Sequence, residues 1–93
     1  MSIQKTGAEY IAESLKKYGV DHVFFIQAIL RRTQVELEKV GIKRIVTHSE
    51  KAAAYMADGY ARIAGKPGIA MAQSVGAANL AAGLQDPYLA RSP

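Results

Sequence analysis

Three short segments carry the side chains best suited to chemistry: Phe25-Ile26-Gln27-Ala28, Thr47-His48-Ser49-Glu50 and Gln73-Ser74-Val75-Gly76. The second places an imidazole, a hydroxyl and a carboxylate at consecutive positions. His48 and Glu50 could share a metal ion, but two ligands with no third make an incomplete centre. No third group orients a nucleophile–base pair. Spacing alone makes Ser49 an N-cap and His48 a strand-end residue with a satisfied hydrogen bond. It makes Glu50 a first-turn acid, favoured there by about 0.3–1 kcal/mol. The competing account of Glu50 is a carboxylate held at the edge of a packed core because a reaction needs it.

The elements that must position these segments follow from periodicity. Thr6-Gly7-Ala8-Glu9 reads as a capping box, with Ala8, Ile11, Leu15 and Tyr18 at helical spacing before a stop at Gly19. "VDHVFFI", residues 20–26, reads as a buried strand. Ile29, Thr33, Leu37 and Val40 mark a second helix, closed by Gly41, and "IKRIVT" a second strand. A third helix is expected from about Ser49 to Ala64, burying Ala53, Met56, Ala57, Tyr60 and Ile63 and ending at Gly65. "GIAMA", 68–72, is a third strand, and "AANLAAGLQ" begins a fourth helix that Pro87 should kink or end near Asp86. The order α-β-α-β-α-β-α implies an α/β fold, a parallel sheet covered by helices on both faces. In such sheets ligands collect beyond the carboxyl ends of the strands, and all three polar segments lie at that edge.

Composition narrows the classes. The 93 residues form a single domain, 1–93, with 49% hydrophobic and 22% charged residues and no low-complexity tract. The net charge of +4 is spread out: residues 1–47 hold 8 basic and 5 acidic side chains, residues 48–93 hold 4 and 3. No nucleic acid is expected as a partner, because no basic face with interleaved aromatics is present. The absence of cysteine excludes disulfides and thiolate metal sites. The opening MSIQKTGAEY lacks a signal-peptide core, and the uncharged stretch 67–85 is broken by polar residues, so a cytoplasmic chain with no membrane partner is expected. Neither Gly-x-Gly-x-x-Gly nor a Walker loop occurs, and "GKPG", 65–68, reads as a helix stop and a turn.

The ordered blocks "TGAEYIAESLKKYGVDHVFFI", Glu50 followed eight residues on by "DGYAR", then "GKPG" and "AANLAAGL", span Thr6 to Pro93. They resemble the start of the pyrimidine-binding domain of thiamine diphosphate-dependent enzymes, in the group of acetolactate synthase and of pyruvate and benzoylformate decarboxylases. The resemblance implies that Glu50 contacts N1′ of the cofactor's aminopyrimidine and promotes the tautomer that deprotonates the thiazolium C2. The cofactor then serves as electron sink for a 2-oxo acid. It sets Ile26, Gln27, Ser74 and Asn79 beside Glu50 on the cofactor side, and Phe25, His48 and Gln73 on the substrate side. Sharing a proton with a ring nitrogen asks for a carboxylate kept out of water. The small residues Ala52, Ala53, Ala54 and Gly59 are expected to allow that close packing.

The chain departs from the family in three places. Phe25-Ile26-Gln27-Ala28 stands where relatives have a Gly-Ile-Pro-Gly turn, Ser74-Val75-Gly76 where they have a Gly-Pro-Gly type loop, and Pro87 within a helix they continue. The family's domain has six strands, so the chain corresponds to about half of a pyrimidine-binding domain. Mg²⁺ and the diphosphate are bound there by a second domain with a Gly-Asp-Gly…Asn motif, paired across subunits in a homo-oligomer, and some members also bind FAD. The isolated chain is therefore expected to be inactive. The alternative is a non-catalytic α/β module that self-associates through its open sheet edge.

Overall fold

Thr6 starts the first helix as its sequence demands. In the computed structural model, which describes residues 4–27 and 29–93, its hydroxyl accepts from Glu9 N at 3.1 Å while the Glu9 carboxylate accepts from Thr6 N at 3.0 Å. That helix, α1 (Gly7–Lys17), leads to strand β1 (His22–Ile26). Helix α2 (Arg31–Lys39), strand β2 (Lys43–Thr47), helix α3 (Glu50–Ala64) and strand β3 (Ile69–Met71) follow, then helices α4 (Val75–Ala81) and α5 (Gln85–Ala90). The expected stops Gly19, Gly41 and Gly65 all have left-handed φ, at 85°, 82° and 69°, which glycine adopts without a Cβ penalty. Ala28, and Met1–Ile3 at the head of the stretch read for a signal, lie outside the described residues. No helix among the described residues is long and apolar enough to cross a membrane.

The strands are all parallel and ordered β2-β1-β3. Alternation along β1 fills both faces. Val23 and Phe25 pack with Ala12, Leu37 and Ile42 beneath α1 and α2, whereas Phe24 packs with Ala53 and Ala57 beneath α3. The chain crosses from β2 to β3 over the central strand, so the direction of winding reverses between β1 and β3. A crevice at the strand carboxyl ends opens at such a reversal.

Two packing expectations and one helix end need correction. On α1 the buried face is Ala12 with Leu15, and Ile11 and Tyr18 stay exposed. On α3 the buried stripe is Ala53, Ala54, Ala57 and Ala61, with Met56 43% and Ile63 91% exposed. At about 100° per residue the alanines share one arc, and Met56 and Ile63 fall on its flank. The fourth helix ends at Ala81 rather than near Asp86. Pro87 then takes the third position of the separate helix α5, where its missing N–H costs nothing.

Glycines set how closely α3 approaches its neighbours. A Cβ on Gly68 would lie 2.1 Å from the Ala57 carbonyl oxygen, and one on Gly83 would lie 2.6 Å from the Ala54 Cβ. Gly59, expected to supply this closeness, faces open space.

The two sheet edges differ. Beside β2, Lys43 is exposed and Arg44 pairs with Glu38 at 3.1 Å. The three residues of β3 carry no charge, and Ile69 lines apolar cavities of about 300 and 310 Å³. One is walled by Ala54, Ala57 and Leu80, the other by Leu15 and Val20.

At the opposite end of the sheet from the polar segments, Asp21 accepts from Tyr60 Oη, from His22 Nδ1 at 2.8 Å and from Lys66 Nζ at 3.0 Å. The Tyr60 hydroxyl, then His22 and Lys66, hold the Asp21 carboxyl well below the usual carboxylate range. Such a depressed group adds stability that is complete above its unfolded value of about 3.9 and is lost as pH falls below that value. Thermal unfolding between about pH 2 and 7 is expected to show an acid-limb loss that Asp21→Asn flattens. An identical acid limb in the variant would mean that the cluster contributes nothing.

Candidate functional site

The site is assembled by the first turn of α3 and by α4 lying across it. Ser49 caps α3 as expected, its Oγ accepting from Ala52 N at 3.0 Å. This fixes Glu50 as the first helical residue, half-buried. Thr47, buried at the end of β2, donates its hydroxyl to the Ser49 carbonyl at 2.8 Å and stitches the strand to the helix. His48, between them, is exposed and makes no side-chain hydrogen bond among the described residues, contrary to the bonded strand-end residue expected.

From α4, two residues address the Glu50 carboxylate. Asn79 Nδ2 donates to Glu50 Oε1 at 3.4 Å. Gly76 leaves the room Glu50 occupies, since a Cβ there would lie 2.7 Å from Oε2. Ser49, Glu50, Lys51, Asn79 and Ala82 line an open depression of about 390 Å³. A carboxylate with one neutral donor, at the mouth of a depression walled by helices, can accept a hydrogen bond or a proton from a flat heterocycle.

The loop from β3 to α4 explains Ser74. Gly76 N donates to the Gln73 carbonyl at 3.0 Å, and Ser74 between them has φ 58° and ψ −128°. That is the first central position of a II′ turn, which strongly favours glycine. Ser74 thus holds a glycine-favouring conformation under strain. Ser74→Gly is expected to raise stability by about 1 kcal/mol. Chemical denaturation would read this as a higher midpoint, and a lower one would show that the serine is not strained.

The remaining expected site residues separate. Gln73 Oε1 accepts from Leu30 N at 2.9 Å, joining the β3–α4 loop to the β1–α2 loop across the crevice. Gln27 is exposed in the turn after β1, Ile26 ends that strand half-buried, and Phe25 is 5% exposed with its ring in the core. The structure thus brings Glu50, Asn79 and Gly76 together, with Gln73 and Ser74 forming the neighbouring turn. Gly76 belongs to the third polar segment, but a lone glycine in a sequence gives no signal that it will lie against a carboxylate. Among the described residues no group of three or more His, Asp or Glu side chains is placed to hold a metal ion.

The "DGYAR" block has a structural use. Asp58 and Arg62 bond one turn apart at 3.0 Å, Arg62 continues to Asp86 at 3.4 Å on α5, and Tyr60 reaches Asp21. The Arg62 guanidinium holds the Asp58 carboxyl below its ordinary range.

Residues 5–93 match the family model of the thiamine pyrophosphate enzyme N-terminal TPP binding domain. The chain is 36% identical over 92 residues to a chloroplastic acetolactate synthase of Arabidopsis thaliana, covering 96% of the chain and 14% of the relative. It is 38% identical over 98 residues to acetolactate synthase of Arthrospira platensis, covering 95% and 16%. A probable 2-ketoarginine decarboxylase of Pseudomonas aeruginosa is 40% identical over 65 residues, covering 69% and 12%. The chain therefore spans about 12–16% of the length of these relatives.

Proposed function

Because this chain belongs to the thiamine pyrophosphate enzyme family, as its N-terminal TPP-binding domain, we propose that it holds the aminopyrimidine of thiamine diphosphate against Glu50. The observation that carries this reading is the half-buried Glu50 carboxylate at the rim of the depression it shares with Asn79. A ring nitrogen and an exocyclic amine suit the Glu50 carboxylate and the Asn79 amide, which line the depression together with Ser49 and Lys51. When bound, the cofactor supplies the carbon nucleophile and electron sink for 2-oxo acid chemistry. The part of this chain is to fix the ring and to accept and return a proton at the Glu50 carboxylate. The reaction class is carboligation or decarboxylation of a 2-oxo acid, in keeping with the acetolactate synthase and decarboxylase names of its relatives.

Mg²⁺ and the diphosphate fall to a partner domain or second subunit in this reading, since the site offers one carboxylate and no cluster of hard oxygen ligands. The test is a ¹⁵N NMR titration of the chain with the free pyrimidine half of the cofactor, 4-amino-5-hydroxymethyl-2-methylpyrimidine. Signals of Ser49, Glu50 and Asn79 are expected to move together, and to need a higher probe concentration to do so in Glu50→Gln. A probe that shifts none of them at saturation would overturn the assignment.

A further inference from the structure

The family resemblance set Asn79 beside the cofactor, whereas the geometry points to a different role. We infer that Asn79 is a positioning residue for Glu50: with Gly76 it fixes where the carboxylate lies, and it acts on the cofactor only through that group. The inference rests on the assignment of Glu50 above and adds a partner to it.

Both restraints come from one face of α4. Gly76 and Asn79 are three residues apart, so they stack on the same side of the helix. Each meets a different carboxylate oxygen: Asn79 Nδ2 stands 3.4 Å from Oε1, and the bare Gly76 backbone abuts Oε2. The same interface continues at Gly83, packed against Ala54 one turn beyond Glu50. The turn just past α4 is thereby held against α3, which fixes the height of α4 on it. The Asn79 amide donates to the carboxylate at 3.4 Å, a long bond whose part is to orient the group. With one amide hydrogen already directed at Glu50, Asn79 serves the carboxylate before any ligand arrives.

Two measurements decide the matter. In the ¹⁵N-labelled chain, the Asn79 side-chain amide signals are expected to move as the pH is varied. They should lose that movement in Glu50→Gln, and in Glu50→Asp, where the shorter acid withdraws the oxygen. Amide signals indifferent to both substitutions would overturn the inference, and this readout needs no cofactor. Affinity for the pyrimidine probe gives the second arm. Asn79→Ala is expected to weaken binding about five- to tenfold in the native background and less than twofold alongside Glu50→Gln. Equal losses in both backgrounds would make Asn79 a direct contact instead. If the native chain failed to bind the probe, the functional reading would fall while the amide titration still judged the Asn79–Glu50 pair.

Discussion

On the proposed reading, Glu50→Gln is expected to cut turnover of a 2-oxo acid by about 10²–10⁴-fold in a thiamine diphosphate enzyme assembled with this chain. The substitution keeps the shape of the side chain and an oxygen that can accept from Asn79 at the place of the 3.4 Å contact. It removes the ability to take up and return a proton. The Ser49 cap at 3.0 Å is untouched, so α3 should form as before. Loss of the acid from the first turn costs about 0.3–1 kcal/mol through the helix dipole. That small penalty separates the two accounts of Glu50. A first-turn acid with no other role would lose only stability, whereas a proton-handling carboxylate loses turnover at nearly constant stability. Steady-state kinetics beside a melting curve distinguishes them, and unchanged turnover would sink the assignment.

Gly68→Ala is expected to be the most damaging small substitution, at about 3 kcal/mol or more. The new methyl would meet the Ala57 carbonyl oxygen at 2.1 Å, its carbon at 2.7 Å and its Cα at 3.1 Å. All three atoms are backbone inside a regular helix and cannot rotate away. Relief requires α3 to move off the sheet, opening the contact of Ala53 and Ala57 with Phe24. In a domain of this size the loss corresponds to a fall of roughly 12–24 °C in the melting temperature. Thermal unfolding followed by circular dichroism checks it, and a fall of only a degree or two would mean that α3 and the β3 entry are not in close contact. Gly76 makes a useful contrast. A methyl there would meet the end of the flexible Glu50 side chain, so its substitution should disturb the carboxylate more than the fold.

The fold was legible wherever local chemistry decides it. The Thr6–Glu9 capping box, the Ser49 cap and the three glycine stops each act within a few residues of chain, and each formed as the sequence indicated. Burial was less legible where two faces of a helix are both apolar. On α3, Met56 and Ile63 are more hydrophobic than alanine, yet the alanine arc was buried because only small side chains allow α3 to approach Gly68 and Gly83. Pro87 misled by its position. It was expected to disturb a continuous helix, but the chain had already stopped at Ala81, and proline suits the first turn of the next helix. At the site, Glu50 could be singled out from the family blocks, but the Gly76 contact and the Gln73 bridge to Leu30 join residues distant in sequence. No spacing rule announces such pairs.

The contrast between the sheet edges reaches beyond the fold into how this chain behaves in solution. The β2 edge carries Lys43 and Arg44, so contacts there answer to ionic strength. Strand β3 itself is uncharged and the cavities flanking it are mainly apolar, and attraction between such surfaces is governed by water more than by ions. Raising sodium chloride would screen repulsion between the cationic molecules without loosening anything that forms at β3. Cooling weakens apolar association and sulfate strengthens it, so temperature and salt identity, more than salt concentration, set the conditions under which this chain stays dispersed.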